Sequence, residues 1–285
     1  MNPILVIGAT GTVGREVVAH LRAENAPVRA LTRDPAAARL PASVEAVRGD
    51  LTAPGSLDAA LDGAETVFLL WQTGPATVPA VVERIARSAR RVVLLSSPHQ
   101  TPHPFFSQPN PMAAMHADIE RRLGETGLGL TILRPGMFAA NVRHWWGPQV
   151  RAGDVVRWPY GGVETAPVDE RDIAAVAARA LLDAAHDGAE YLITGPEALT
   201  QAGQVHAIGE VIGRPLRFHE LSPDEARREL GFPPPAMEML LAAWGAAVGH
   251  PALVTRTVEE VTGRPARPFR QWVADHPDAF APSTI

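Results

Sequence analysis

Ile4-Leu5-Val6-Ile7-Gly8-Ala9-Thr10-Gly11-Thr12-Val13-Gly14 is the stretch on which the fold turns. Four consecutive apolar residues read as a strand buried on both faces, and the glycines follow without a gap. Val13, Val17, Val18 and Leu21 then give the next segment one apolar face at helical spacing. Strand, glycine turn and helix N-terminus in that order make a seat for a diphosphate. Gly8 permits the sharp turn, Gly11 lets the backbone approach the anion, and Gly14 lets the helix lie against the strand. The free N–H groups of the first helical turn, with Thr10, Thr12 and Val13 around them, then face the phosphates. The spacing is G-x-x-G-x-x-G rather than G-x-G-x-x-G, so the context carries the reading; a glycine-rich turn without a ligand is the alternative.

With 285 residues, 46% of them apolar and 20% charged, the chain has the composition of a soluble globular protein able to bury a large core. A net charge of -5 without a long basic run argues against nucleic acid as the main partner, because phosphate binding needs concentrated Lys and Arg. The absence of cysteine excludes disulfides, thiolate metal sites and a cysteine nucleophile, and no metal is expected. No run approaches the ~18 apolar residues of a membrane span, and the sequence begins directly in a strand, so a cytoplasmic location is expected. The 27 prolines are scattered among turns, and no internal repeat stands out.

Working outward, Val28-Arg29-Ala30-Leu31 is a second strand ending in Thr32-Arg33-Asp34-Pro35. The end of this strand is where a dinucleotide fold meets the adenosine ribose; an arginine there favours a 2′-phosphate, an acidic residue a free hydroxyl. Arg33 is therefore read as a phosphate ligand and the cofactor as NADP(H) rather than NAD(H), the alternative being a solvated arginine beside a capping Asp34. A third strand, Val44 to Arg48, leads to Gly49-Asp50-Leu51, with Asp50 placed either to accept from an adenine amino group or simply to make a turn. Ser56 is expected to cap a helix through Leu57, Ala60 and Leu61. The fourth strand, Thr66 to Leu70, delivers Leu70, Trp71 and Gln72 to the pyrophosphate and nicotinamide ribose.

Val78 to Arg90 is a helix with Val81, Val82, Ile85 and Ala89 inward, and Val92 to Leu95 is a fifth strand. Strands alternating with helices at this rhythm predict an α/β fold: a Rossmann-type, doubly wound parallel sheet. Ser96 and Ser97 end strand five, at the expected nicotinamide, as hydroxyl donors or as turn caps; His99, Phe105 and Phe106 follow in a loop. Met112, His116, Ile119 and Leu123 share one helix face, so His116 points inward, as a core histidine or as a catalyst. A sixth strand, Leu130 to Leu133, closes with Arg134-Pro135-Gly136. Beyond it Met137, Phe138, Asn141 and Trp145 suit an apolar substrate pocket with polar anchors, or the interior of a lid.

These segments together resemble the NmrA-like branch of the atypical short-chain dehydrogenase/reductase superfamily. The resemblance rests on the glycine loop, Thr32 to Pro35, Gly49-Asp50-Leu51, Ser96-Ser97, and Ile119-Glu120 through Thr131 to Phe138 and on to Asn141. Val168 to Ala174 and Tyr191 to Gly195 resemble the later segments that return to the Rossmann core. It covers most of the chain to about residue 220. It implies NADP binding, with Pro135 among the cofactor contacts, and a family whose members reduce quinones or conjugated aromatic substrates or only sense the cofactor. Ordinary members of the superfamily carry Tyr-x-x-x-Lys, and isoflavone-reductase-like members keep the lysine; here the pair is Met112 and His116. Without the tyrosine a ketone reduction lacks its proton donor, because the alkoxide must be protonated. A quinone or enone delocalises the charge, and His116, with an ordinary pKa of about 6.5, is the candidate acid.

The expected organisation is a Rossmann domain over residues 1–150 and a smaller, mainly helical substrate-binding region over 151–285, with about 165–195 returning to the core. Beyond Gly195 only helices are expected: one capped by Ser222 with Pro223 and Glu225, one carrying Met237, Leu240, Leu241, Trp244 and Val248, and a last pair holding Val258, Val261, Phe269, Trp272 and Val273. Such a cap would close the substrate pocket, or its apolar face would form a homodimer interface. The functional expectation is NADP(H)-dependent hydride transfer to an aromatic or quinonoid small molecule, with His116 and Ser97 at the chemistry. A non-catalytic NADP(H) sensor and a redox-neutral isomerase or cyclase are the alternatives.

Overall fold

The computed structural model describes residues 2–281. Strand β1 (Ile4–Ile7) is followed by α1 (Thr12–Ala23), β2 (Val28–Thr32), β3 (Glu45–Arg48), the short α2 (Asp58–Leu61), β4 (Thr66–Leu70), α3 (Val78–Ser88), β5 (Arg91–Leu95), α4 (Pro111–Gly124) and β6 (Gly129–Pro135). Two short helices, α5 (Val142–Trp145) and α6 (Gly147–Ala152), precede β7 (Val155–Pro159), β8 (Glu164–Thr165), α7 (Glu170–Leu182), β9 (Glu190–Ile193) and β10 (Leu199–Thr200). The remainder is α8 (Gln201–Val211), β11 (Arg217–Leu221), α9 (Pro223–Glu229), α10 (Pro234–Ala247), α11 (Thr257–Thr262) and α12 (Phe269–Asp275).

Seven strands form one sheet in the order β3-β2-β1-β4-β5-β6-β9. All six pairings are parallel, and Ile4 lies level with both Val28 and Thr66. The period of two sends alternate residues to opposite faces. On β1, Ile4 and Val6 pack beneath α1 and α7, whereas Leu5 and Ile7 pack against α2, α3 and α4. Both faces are covered, which is why the strands read as unbroken apolar runs; burying each such side chain contributes about 1.5–3 kcal/mol. The order reverses between β1 and β4, and the crevice at the carboxyl ends of those two strands is where such sheets bind ligands.

A third apolar cluster makes the cap, centred on Trp146, Trp158, Trp244, Trp272, Phe269 and Phe280. Its residues begin at Ala139 and include Val142 and Val150, so the helices before residue 151 pack with the cap. Val258 of α11, in turn, packs with the Rossmann core beneath α7. The cap cluster thus takes in residues before 151, and α11 joins the Rossmann core in addition to the segment around α7 and β9.

Four sequence expectations are corrected. The C-terminal region holds a strand, β11, paired in parallel with β7; it sits at an edge, and Arg217, His219 and Glu220 face solvent, which hides it from an apolar-run search. Val248 lies past the end of α10 and is 56% exposed. Met112, in the first turn of α4 where the helix overhangs the core, is also 56% exposed rather than on the inward face. Ser56 caps no helix; its hydroxyl accepts from the Asp50 N–H and donates to the Ala53 carbonyl, tying down the turn after β3.

Candidate functional site

At the switch point a cleft of about 700 Å³ opens between the glycine loop and the ends of β2, β3 and β4. Gly8 is left-handed, at φ 88°, which turns the chain sharply out of β1, and Gly11 donates its N–H to the Gly8 carbonyl at 3.0 Å. A Cβ on Gly14 would lie 2.0 Å from that same carbonyl oxygen, so only glycine lets α1 start this close to the loop. The loop is a backbone cradle with its helix N-terminus open to the cleft, the arrangement that holds a diphosphate.

Of the residues expected at a cofactor, the cleft is lined by Gly8, Thr10, Arg33, Asp50, Leu51, Leu70 and Gln72. Gly11 and Gly14 shape it from behind, Thr12 is exposed at the start of α1, and Val13 is buried in the core. Trp71 is not in the lining: one residue past Leu70 on an alternating strand, it faces the opposite sheet face and is buried, its Nε1 donating to the Thr73 carbonyl at 2.8 Å. Pro135 is also outside the lining, buried in register with Ile193.

Charge distinguishes the ribose end. Arg33 and Arg39 are exposed on the loop after β2, Arg15 is exposed on α1, and all three line the cleft; none forms an ion pair among the described residues. Asp34 is occupied locally, its carboxylate accepting from the Ala36 and Ala37 N–H groups, which leaves Arg33 free. Asp50 accepts from the Thr52 N–H and hydroxyl, both at 2.8 Å. Those bonds, with Arg33 nearby, hold its carboxyl below the usual range. Arg15 and Arg39 were missed from sequence. The one clue was position, directly after Gly14 and six residues after Arg33.

Beyond β5 and β6 the structure brings together a different set. Phe105, Phe106 and Met137 line a chamber of only about 20 Å³, with Phe105 and Phe106 edge to face at 5.0 Å. The loop above is clasped: the Phe105 N–H donates to His103 Nδ1 at 3.2 Å, so His103 carries its proton on Nε2 and donates it to the Pro251 carbonyl at 3.0 Å. Asn141 is tied to the chamber wall through the Met137 sulfur at 3.1 Å. Phe138 instead packs against the Rossmann core. Trp145 packs partly buried against the cap core, stacked on Trp158 at 5.8 Å and edge-on to Trp244 at 5.7 Å.

Ser96, expected at the cofactor, is buried instead in a charged network beneath the site. Its hydroxyl donates to Glu120 Oε1 at 2.5 Å, and Glu120 is gripped by Arg134 through Nε at 3.2 Å and Nη2 at 2.7 Å. Arg134 continues to Glu190 at 2.5 Å. Glu120 is one turn after His116 on α4, and an inward carboxylate on an apolar face needs a cation; that was the overlooked signal. His99 is half-buried with Nε2 3.6 Å from Glu120 and Nδ1 3.4 Å from the Ser97 hydroxyl.

His116 is 7% exposed and its Nδ1 has no partner. Burial foremost, then the neighbouring His99, push its pKa down, and Glu120 only partly opposes this. The folded-state pKa is thus below the ordinary 6.5, so the stability His116 contributes is present above about pH 6.5 and is lost as pH falls through the folded value. His116→Leu is expected to flatten the acid side of a Tm-against-pH curve below about pH 6.5. An unchanged slope would mean that His116 is not held neutral. A neutral, enclosed imidazole is a poor acid for the reaction expected of it.

Among the described residues no helix is long and apolar enough to cross a membrane. The family model described as NAD(P)H-binding matches residues 8–184. The chain is 41% identical to the (4-alkanoyl-5-oxo-2,5-dihydrofuran-3-yl)methyl phosphate reductase of Streptomyces griseus subsp. griseus over 291 residues, covering 98% of this chain and 99% of that one. It is 33% identical to an NAD(P)H azoreductase of Xenophilus azovorans over 287 residues, covering 97% and 99%. The same fold occurs in the crystal structure of the NADPH-dependent quinone oxidoreductase of Escherichia coli complexed with NADPH, at a TM-score of 0.80 and 23% identity, covering 95% of this chain and 99% of that one.

Proposed function

The chain belongs to the NAD(P)H-binding family and is an NAD(P)-dependent oxidoreductase of the NmrA-like type, and from that premise we propose that it prefers NADPH and reduces a conjugated, electron-poor small molecule. The nicotinamide nucleotide supplies the hydride when bound. Gly8, Thr10 and the α1 N-terminus hold its diphosphate, and Arg33, with Arg15 and Arg39, takes the 2′-phosphate end. Leu70 and Gln72 carry it toward the ends of β4 and β5, where Ser97 stands. The acceptor lies against Phe105, Phe106 and Met137 once the His103 clasp opens, because an aromatic ring does not enter about 20 Å³.

The observation that carries the choice of acceptor is the missing acid. Where a tyrosine would protonate an alkoxide, Met112 stands out in solvent, and where the lysine would be, His116 is enclosed and kept neutral. An unsaturated lactone, a quinone or an azo compound spreads the incoming charge over heteroatoms, so its reduction tolerates a weaker proton source. The names of the two relatives, a dihydrofuranone phosphate reductase and an azoreductase, support this class of acceptor.

The test is a panel of a butenolide, a quinone and an azo dye, each with NADPH and with NADH. Wild type is expected to reduce at least one of them with NADPH preferred. Arg33→Glu is expected to weaken NADPH binding about 10- to 100-fold, the loss of a charged hydrogen bond of about 1.5–3 kcal/mol, while leaving NADH nearly unchanged. Equal losses for both nucleotides would contradict the 2′-phosphate role. Binding without reduction of any acceptor would favour a cofactor sensor.

A further inference from the structure

Three side chains beneath the expected nicotinamide position are unused by this reading: Ser97, His99 and Glu120. His99 Nδ1 faces two oxygens of Ser97, the carbonyl at 3.1 Å and the hydroxyl at 3.4 Å. Its Nε2 is buried, without a hydrogen-bond partner, and directed at Glu120 Oε2 at 3.6 Å. Both edges of the ring therefore face oxygens, those of Ser97 within hydrogen-bond reach and that of Glu120 just beyond it. Glu120 cannot drift toward the site, because Arg134 grips both of its oxygens and Ser96 donates to one of them. The ring is thus placed by a fixed carboxylate on one side and touches, on the other, a hydroxyl at the carboxyl end of β5. Serine, imidazole and carboxylate in this order resemble the way a nucleophile is linked to its base, here turned to delivering a proton rather than removing one.

We propose that Ser97 is the catalytic residue that protonates the reduced acceptor and that His99, positioned by Glu120, is the group that resupplies Ser97. The proposal rests on the reading of the protein as a reductase of conjugated acceptors. The acceptor gains a hydride with its electron pair at one end of its conjugated system, and the displaced π pair moves onto a heteroatom. Ser97 gives its hydroxyl proton to that anion as His99 gives its Nδ1 proton to Ser97 Oγ. The ring is left neutral, with its remaining proton on Nε2 toward Glu120, and takes a new proton from solvent before the next turnover. The net change is one hydride, which carries both electrons, to the acceptor from the nicotinamide, and one proton from His99. His116 then has a different part. It packs beside the relay from α4 as a neutral ring, and the groups facing His99 are His116 and Glu120 from that helix, with Arg134 from β6 acting through Glu120.

Two kinds of measurement decide it. In the protein without nucleotide, NMR titration of the histidine rings is expected to show His116 titrating at higher pH in His99→Gln than in wild type, because the variant removes the positive charge beside it. An unmoved His116 would overturn the charged form of His99. With NADPH and a reducible acceptor, Ser97→Ala and His99→Gln are each expected to lower kcat about 10²-fold with KM for both substrates nearly unchanged. In wild type kcat is expected to fall with rising pH and in His99→Gln that fall is expected to vanish, and Ser97→Thr, which keeps the hydroxyl, is expected to recover most of the rate. Variants within twofold of wild type, or an unaltered pH profile, would overturn the relay while leaving the reductase function standing. A wild-type protein that reduces no acceptor would overturn both.

Discussion

Gly14→Ala is expected to cost about 3 kcal/mol of stability, at the upper end of what an overpacked site costs, and to weaken NADPH binding at least tenfold. The added methyl would lie 2.0 Å from the Gly8 carbonyl oxygen, 2.7 Å from its carbon and 3.0 Å from Ala9 Cα. All three are backbone atoms of the turn, so no side chain can swing away; either α1 lifts from the sheet or the loop opens. Lifting α1 loosens Val13, Val17 and Leu21 in the core, and opening the loop disorders the diphosphate seat, so stability and binding fall together. Gly8→Ala is a useful contrast. Its strain comes from φ 88°, worth about 1–2 kcal/mol, and from a milder approach, Leu70 Cβ at 3.1 Å, which a shift of a few tenths of an ångström relieves. Urea unfolding and fluorescence titration with NADPH measure both. A Gly14→Ala protein with wild-type stability and affinity would mean that α1 does not start against the loop.

Arg134→Met should be the most destabilising change that leaves the cleft untouched. It leaves the Glu120 carboxylate, 6% exposed, without its guanidinium, with only the Ser96 hydroxyl, the Gln100 amide at 3.4 Å and His99 Nε2 at 3.6 Å nearby. Removing one member of a buried ion pair typically costs about 3–5 kcal/mol. Replacing both, as in Glu120→Leu with Arg134→Met, removes the stranded charge and is expected to recover most of the loss, since a buried pair is roughly balanced by its own desolvation. The recovery separates stability from chemistry: the double variant should fold yet remain slow, because His99 has lost the carboxylate that places it. Denaturant midpoints for the two singles and the double check the first part. A double variant as unstable as Arg134→Met would show that the pair contributes by geometry rather than by neutralising charge.

The fold was legible because its signals are local. The apolar run, the glycine loop and the helical spacing of Val13, Val17, Val18 and Leu21 all lie within one segment, and each agrees with the next. The cleft was legible in part for the same reason: Gly8, Arg33, Asp50, Leu70 and Gln72 all follow the ends of strands. Where reading failed, the deciding fact was either parity or long-range contact. Trp71 and Leu70 differ by one position, and the alternation of β4 sends one to the core and the other to the cleft. Trp145 reads as a pocket aromatic, and its packing on Trp158 and Trp244, remote in sequence, is a contact no local pattern announces. Ser96 and Ser97 are adjacent, yet one bonds to a buried carboxylate and the other touches His99. The bond from Arg134 to Glu120 spans a helix–strand connection, and no spacing rule announces it.

The proposed relay follows the same contrast. From the helix spacing alone His116 is the inward histidine and the natural acid. In three dimensions its Nδ1 is orphaned and its charged form is disfavoured, while His99, in a loop with no periodic pattern, reaches both a carboxylate and a hydroxyl. A buried titratable group is conspicuous in sequence. A useful one is recognised by what both of its edges touch.

The central claim, NADPH-driven hydride transfer to a conjugated acceptor, is tested most directly with NADPH deuterated at nicotinamide C4. With a butenolide, a quinone or an azo dye in ordinary water, one deuterium is expected on the reduced product or, where that position exchanges, a primary isotope effect on NADPH consumption. NADPH bound tightly in the cleft, with no deuterium transferred and no isotope effect for any of the three acceptors, would contradict the claim and leave a dinucleotide-binding protein without this chemistry.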